Sequence, residues 1–128
     1  MKKYLGFWKT FAWFVFILVL FLIPSQVIPG SREIPNLDKA VHFVFFMVFT
    51  ILFMLDMHKI NRLKLISISY ILVTFLVVLS LGVIIEGLQD IMKLGREGEI
   101  IDIFYDLIGF IFGVLLLVLR YGFRTPSS

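Results

Sequence analysis

Charged residues are sparse in this chain, at 16% of its 128 residues, and several of them recur at helical spacing. Asp38, Lys39 and His42 form one group, with His42 four residues after Asp38. Glu86 and Gln89 form a second, and Asp102 and Asp106 a third. Residues three or four apart share a helix face, so each group projects its side chains in one direction. A carboxylate beside an imidazole can serve as general acid and base. Lys39, and Arg96 just ahead of the third group, can hold a phosphate or carboxylate through charge-assisted hydrogen bonds. The same nitrogen and oxygen donors could take a divalent metal. The spacing fits no established metal or hydrolase motif such as His-Glu-x-x-His, so no cofactor is named. His42, Glu86 and Asp102 are the candidate catalytic residues on this reading. Asp38, Lys39, Gln89, Arg96 and Asp106 are candidates for substrate binding.

The elements that carry these groups are apolar. Hydrophobic residues make up 60% of the chain, 15 of them Phe. A small soluble domain cannot hide so much apolar surface inside itself. With no cysteine, disulfides, thiolate metal sites and cysteine nucleophiles are excluded. Runs long enough to span a bilayer cover residues 5–23, 38–57, 65–88 and 100–119. They predict an all-α membrane protein, a four-helix transmembrane bundle forming a single domain over residues 1–128. The connecting stretches are short, which makes consecutive helices antiparallel neighbours. The first run follows Lys2 and Lys3 like a signal peptide, but no small-x-small cleavage pattern follows Pro24. It is therefore read as a retained helix.

Basic residues orient the bundle. Lys2, Lys3, Lys9, Lys59, Arg62, Lys64, Arg120 and Arg124 fall on one side, against Arg32, Lys39, Lys93 and Arg96 on the other. The richer side is cytoplasmic by the positive-inside rule, which places both termini inside. Of the acids only Asp56 lies inside, whereas Glu33, Asp38, Glu86, Asp90, Glu97, Glu99, Asp102 and Asp106 lie at or just beneath the outer face. At 1.5 Å per residue, all three polar groups sit within about two turns of that face.

Ordinary structural roles account for part of this pattern. Asp38 and Asp102 suit the positive ends of helix dipoles, and Asn36 can cap the second helix. Lys39 can neutralise Glu86, and Gln89 can reach the interface. His42, Glu86 and Asp106 are less well explained, because intramembrane ionisable groups are costly and usually functional. Gly109 and Gly113 form a small-x-x-x-small pattern that lets two helices approach closely. His58 reads as an interfacial residue, and Trp8, Trp13, Tyr4 and Tyr121 include interfacial anchors.

The stretch Asp38-Lys39-Ala40-Val41-His42-Phe43 resembles the D-K-x-x-H-F helix opening of the VanZ-like family of small bacterial membrane proteins. Glu86-Gly87-Leu88-Gln89 resembles that family's E-x-x-Q, and Arg96, Asp102, Gly109 and Gly113 match a further pattern of Arg, Asp, Gly and Gly at those intervals. The likeness covers about residues 38–113. The family usually has Asn at the position of Asp106, which leaves open whether Asp106 is an ionised ligand or an Asn-like hydrogen-bonding group. The resemblance implies a multi-pass protein of the bacterial cytoplasmic membrane. The family's namesake is associated with low-level resistance to teicoplanin, a lipid-tailed glycopeptide.

These observations predict a polar pocket near the outer face that binds or modifies an outer-leaflet lipid or lipid-linked envelope head group. Membrane lipids, a lipid-linked envelope precursor or a lipoglycopeptide are the expected partners. The alternatives are a non-catalytic binding or scaffold protein and, third, a small transporter element. Nothing indicates nucleic-acid binding, because the basic residues are accounted for by topology. The orientation has a direct test. Cysteine placed at Pro29 or Gly95 is expected to react with an impermeant thiol reagent in intact cells, and cysteine at Asn61 is not. Labelling of Asn61 alone would invert the assignment.

Overall fold

The computed structural model describes residues 6–22, 37–60, 66–92 and 100–124. Within them the chain is almost wholly helical, with α1 (Trp8–Leu22), α2 (Leu37–Ile60), α3 (Ile68–Met92) and α4 (Ile100–Tyr121). Two short strands, β1 (Ile66–Ser67) and β2 (Phe123–Arg124), pair in parallel, Ile66 with Phe123 and Ser67 with Arg124. Helices α2, α3 and α4 have 24, 25 and 22 residues. That makes them about 33–38 Å long, enough for a hydrocarbon core of about 30 Å. These three are long and apolar enough to cross a membrane, the pattern of a multi-pass membrane protein. Helix α1, at 15 residues, is also apolar but covers only about 22 Å.

Side-chain pairings give the helix directions. Thr10 meets Asp56 and Phe21 meets His42, so α1 and α2 are antiparallel. Gln89 meets Phe21, while Phe11 and Phe14 share a cavity wall with Val77 and Leu81, so α1 and α3 run the same way. Phe75 packs on Phe110 and Gly82 faces Asp106, which sets α4 against α3. Gly109 lies on Phe43 and Gly113 on Met47, so α2 and α4 are parallel. The helices alternate in direction, and both strands fall at the end where α3 begins and α4 finishes.

Helix limits differ from the sequence reading at several points. Helix α2 continues past residue 57 to Ile60, with Asp56 buried inside the bundle and accepting a hydrogen bond from Thr10 Oγ1. Helix α3 starts at Ile68 because Ile66 and Ser67 are drawn into the strand pair, and it runs past Leu88 to Met92. Helix α4 ends at Tyr121, where Gly122 takes φ 89° and its N–H bonds to the Val118 carbonyl at 2.7 Å. A left-handed residue closing a helix in this way is favourable for glycine. For α1, residues 5 and 23 lie outside the described residues.

Polarity is distributed inside out. Leu72, Leu76, Val83 and Ile84 of α3 and Phe104, Ile111, Leu115 and Leu119 of α4 face outward, whereas His42, Glu86, Asp102 and Asp106 are buried. A water-soluble bundle does the reverse, and a helix bundle in lipid has this arrangement because its apolar faces need no covering. The core between the two ends is built from Ile17, Phe21, Phe46, Phe49, Val78, Ile85 and Phe110.

The backbones of α2 and α4 approach each other closely at two glycines. A Cβ on Gly109 would collide with the Phe43 carbonyl oxygen and lie 3.0 Å from the Met47 nitrogen. One on Gly113 would lie 3.0 Å from the Met47 carbonyl. Backbone atoms cannot step aside as a side-chain tip can. Gly87, by contrast, has nothing within 4 Å of its would-be Cβ. Gly109→Ala is therefore expected to destabilise the folded chain by roughly 1–3 kcal/mol. Gly87→Ala is expected to be neutral or stabilising. Thermal melts of both variants in detergent check the contrast; equal melting temperatures would rule out this packing.

Candidate functional site

The polar groups of α2, α3 and α4 meet around the imidazole of His42, which is fully buried. His42 lies between one and two turns below the start of α2. Glu86 is at similar depth before the end of α3, and Asp102 and Asp106 occupy the opening turns of α4. The helix directions put these three ends together, so His42 shares one site with residues 44 to 64 positions further along the chain.

Each ring nitrogen of His42 faces carboxylate. Nδ1 lies 2.7 Å from Asp106 Oδ1. Nδ1–H donates when the Asp106 carboxylate is ionised, and the carboxyl O–H donates when it is protonated. Nε2 lies 3.3 Å from Glu86 Oε1 and 3.8 Å from Asp102 Oδ2. Lys39, half-buried at the edge, brings its Nζ within 3.7 Å of Asp102 Oδ1. Its ion pair is thus with Asp102, where the sequence suggested Glu86. The face of the imidazole stacks on Phe21 of α1, with ring centroids 4.2 Å apart and planes 21° apart. A hydrogen bond at one ring nitrogen and an aromatic wall on one face fix the ring's orientation.

Several of these placements depend on residues that the sequence reading did not single out. Gly82 sits one turn below Glu86, and a Cβ there would approach Asp106 Oδ2 to 2.8 Å. It makes room for that carboxylate against the backbone of α3. The spacing of Gly82 four residues before Glu86 was the available signal. Phe21 had no such signal, being one of many aromatics in an apolar run. Gln89, a candidate for substrate binding, directs its Nε2 to the Phe21 carbonyl at 2.8 Å. That carbonyl is in the last turn of α1, where helical acceptors have no partner within their own helix. Gln89 therefore caps α1 and holds Phe21 against His42. The Asp38 side chain and Arg96 lie outside the described residues.

The arrangement supports three kinds of chemistry. His42 with Glu86 or Asp102 can move a proton. Lys39 can meet an anionic group at the edge. His42, Glu86 and Asp102 together present three donor atoms within 4.8 Å of one another, a separation that a single metal ion can bridge.

A second buried polar pair lies at the other end of the bundle, between Thr10 and Asp56, and Trp13 donates from Nε1 to the Phe45 carbonyl at 2.9 Å. The sequence reading grouped its candidate polar residues at the opposite end of the bundle, and this pair adds a second buried polar contact to them. Phe46, Phe49, Val78 and Phe110 form an apolar layer between the two ends.

Gln89→Leu is expected to cost about 1–3 kcal/mol, because it leaves the Phe21 carbonyl buried without its donor. Hydrogen exchange should rise at the C-terminal turn of α1 and stay unchanged in α4. Exchange rising equally in both helices would show that Gln89 does not act through α1.

No family model matches the chain, and neither does any curated protein or solved structure compared with it.

Proposed function

We propose that the chain is a VanZ-like protein of the bacterial cytoplasmic membrane, with four spans and both termini inside. On this reading its outer end binds the polar head group of an outer-leaflet lipid or lipid-linked envelope precursor. The observation that carries it is the meeting of Lys39, His42, Glu86 and Asp102 within two turns of one end of an otherwise apolar bundle. A head group lies at that depth, and the apolar outer faces of α3 and α4 suit its tail. The alternating helix directions agree with α1 as the fourth span. They bring the ends of α1 and α3 to the starts of α2 and α4, the level where the basic-poor side was assigned.

A transport or relay reading has less support. Along α2, His42 and Asp56 are separated by about 21 Å at helical rise, and that interval holds apolar side chains with the buried hydroxyls of Thr50 and Thr74, none of which titrates. Recognition is also a smaller claim than catalysis, since it needs only the positions of charge and donors.

Lys39 is the charge best placed to meet an incoming anion, being half-buried while its neighbours are enclosed. Lys39→Gln is expected to reduce co-purification of anionic envelope lipids about tenfold, the loss of one charge-assisted contact of roughly 1.5 kcal/mol. Native mass spectrometry of protein extracted from its own membrane reads this directly. An unchanged lipid profile in a folded Lys39→Gln protein would refute head-group binding at this end.

A further inference from the structure

We propose that His42 Nε2, Glu86 and Asp102 hold a divalent ion of the zinc class, with Asp106 orienting the imidazole that binds it. The inference rests on the reading above in taking this end of the bundle as a binding site, and it names what the site would contain.

The first support is directional. With Nδ1–H given to Asp106 at 2.7 Å, the other nitrogen presents its lone pair, and a carboxylate behind the imidazole is the usual partner of a metal-binding histidine. That lone pair points at two further carboxylates. Three electron-rich atoms facing one another in a buried space are held together by a shared proton or by a cation.

The second is metric. A tetrahedral zinc ion, with bonds of about 2.0–2.2 Å to nitrogen and oxygen, holds its ligands about 3.4 Å apart. Glu86 Oε1 and Asp102 Oδ2 lie 3.3 and 3.8 Å from Nε2, and all three donors fall within 4.8 Å of one another. The ligands come from three different helices, so closing on an ion needs only small side-chain shifts.

Donor type selects the ion. Imidazole nitrogen with two carboxylate oxygens favours zinc or a similar first-row ion over calcium or magnesium, which prefer shells made of oxygen. Three protein ligands leave a fourth position, which an oxygen of a phosphorylated head group would fill.

The competing arrangement puts a second proton on His42, making the cluster a purely structural ion-pair network. Metal binding separates the two. Full-length protein in detergent, stripped with EDTA, is titrated with zinc by calorimetry and with cobalt by visible absorption. One zinc per chain is expected, with cobalt giving the ligand-field bands of a four-coordinate nitrogen and oxygen site. Asp102→Asn and the orienting variant Asp106→Asn should each weaken zinc about 10- to 100-fold. His58→Gln, at the chain's other histidine, should bind as the parent does.

A helical parent chain that takes up neither ion overturns the proposal. So does zinc binding that survives His42→Gln unchanged, since the ion would then be held elsewhere. Lipid is absent from these titrations, so the two readings fail separately. Zinc bound with an unaltered lipid profile in Lys39→Gln sinks head-group recognition alone, and lipid retained by a chain that binds no metal sinks the ion alone.

Discussion

The hydrogen bond between His42 and Asp106 is the contact on which the rest of this end of the molecule depends. It joins α2 to α4 across a buried interface where no bulk water can replace it. In hydrocarbon, a polar group without a partner costs several kcal/mol. The two helices must therefore lie close enough to make the bond, and the glycines of α4 allow it. Gly109 and Gly113 put the backbone of α4 directly on that of α2, and Gly82 admits the Asp106 carboxylate between α3 and α4. The polar site and the tight packing are one arrangement seen at two levels.

Helix α1 belongs to the same arrangement by a different route. It is held through side chains to backbone and side chains to side chains: Gln89 to the Phe21 carbonyl, Trp13 to the Phe45 carbonyl, Thr10 to Asp56. Between these bonds lies a wide-mouthed groove of about 250 Å³, lined by Phe7, Phe11, Phe14, Phe49, Phe53 and their neighbours. The packing of α1 is thus looser than that of α2 on α4. Its contribution to the site is the single ring of Phe21, which depends on a residue of another helix for its position.

Much of this was legible in the sequence because two signals are strong in lipid. Long apolar runs must be helices, since every backbone polar group has to be satisfied internally. Ionisable residues inside those runs stand out against an apolar background, which is how His42, Glu86, Asp102 and Asp106 were singled out. Their partners were not legible. Whether Lys39 pairs with Glu86 or Asp102 is set by helix rotation, and periodicity in a helix apolar on all sides does not give rotation. Gln89 was assigned to a ligand because its use as a cap for α1 requires knowing which helix end lies beside it. Asp56 was read only as the one acid at the basic-rich end of the second span. Its burial depends on Thr10, forty-six residues earlier. The strand pair of Ile66 and Ser67 with Phe123 and Arg124 has no sequence signal beyond two apolar residues.

The shallow position of His42 also bears on how the chain is made. Helix α2 is synthesised before α4, and Asp106 follows His42 by 64 residues. At a translation rate of about 5–20 residues per second, the imidazole waits roughly 3–13 seconds for its partner. A polar side chain at the middle of a span would pass that interval in hydrocarbon, alone. One within two turns of the helix end passes it near water and head groups, and is drawn inward only when α4 arrives with its glycines and its carboxylate together. Helix α4, made after the other three, is thus the one that completes the site, and the nascent chain carries the open half of it at the membrane surface until then.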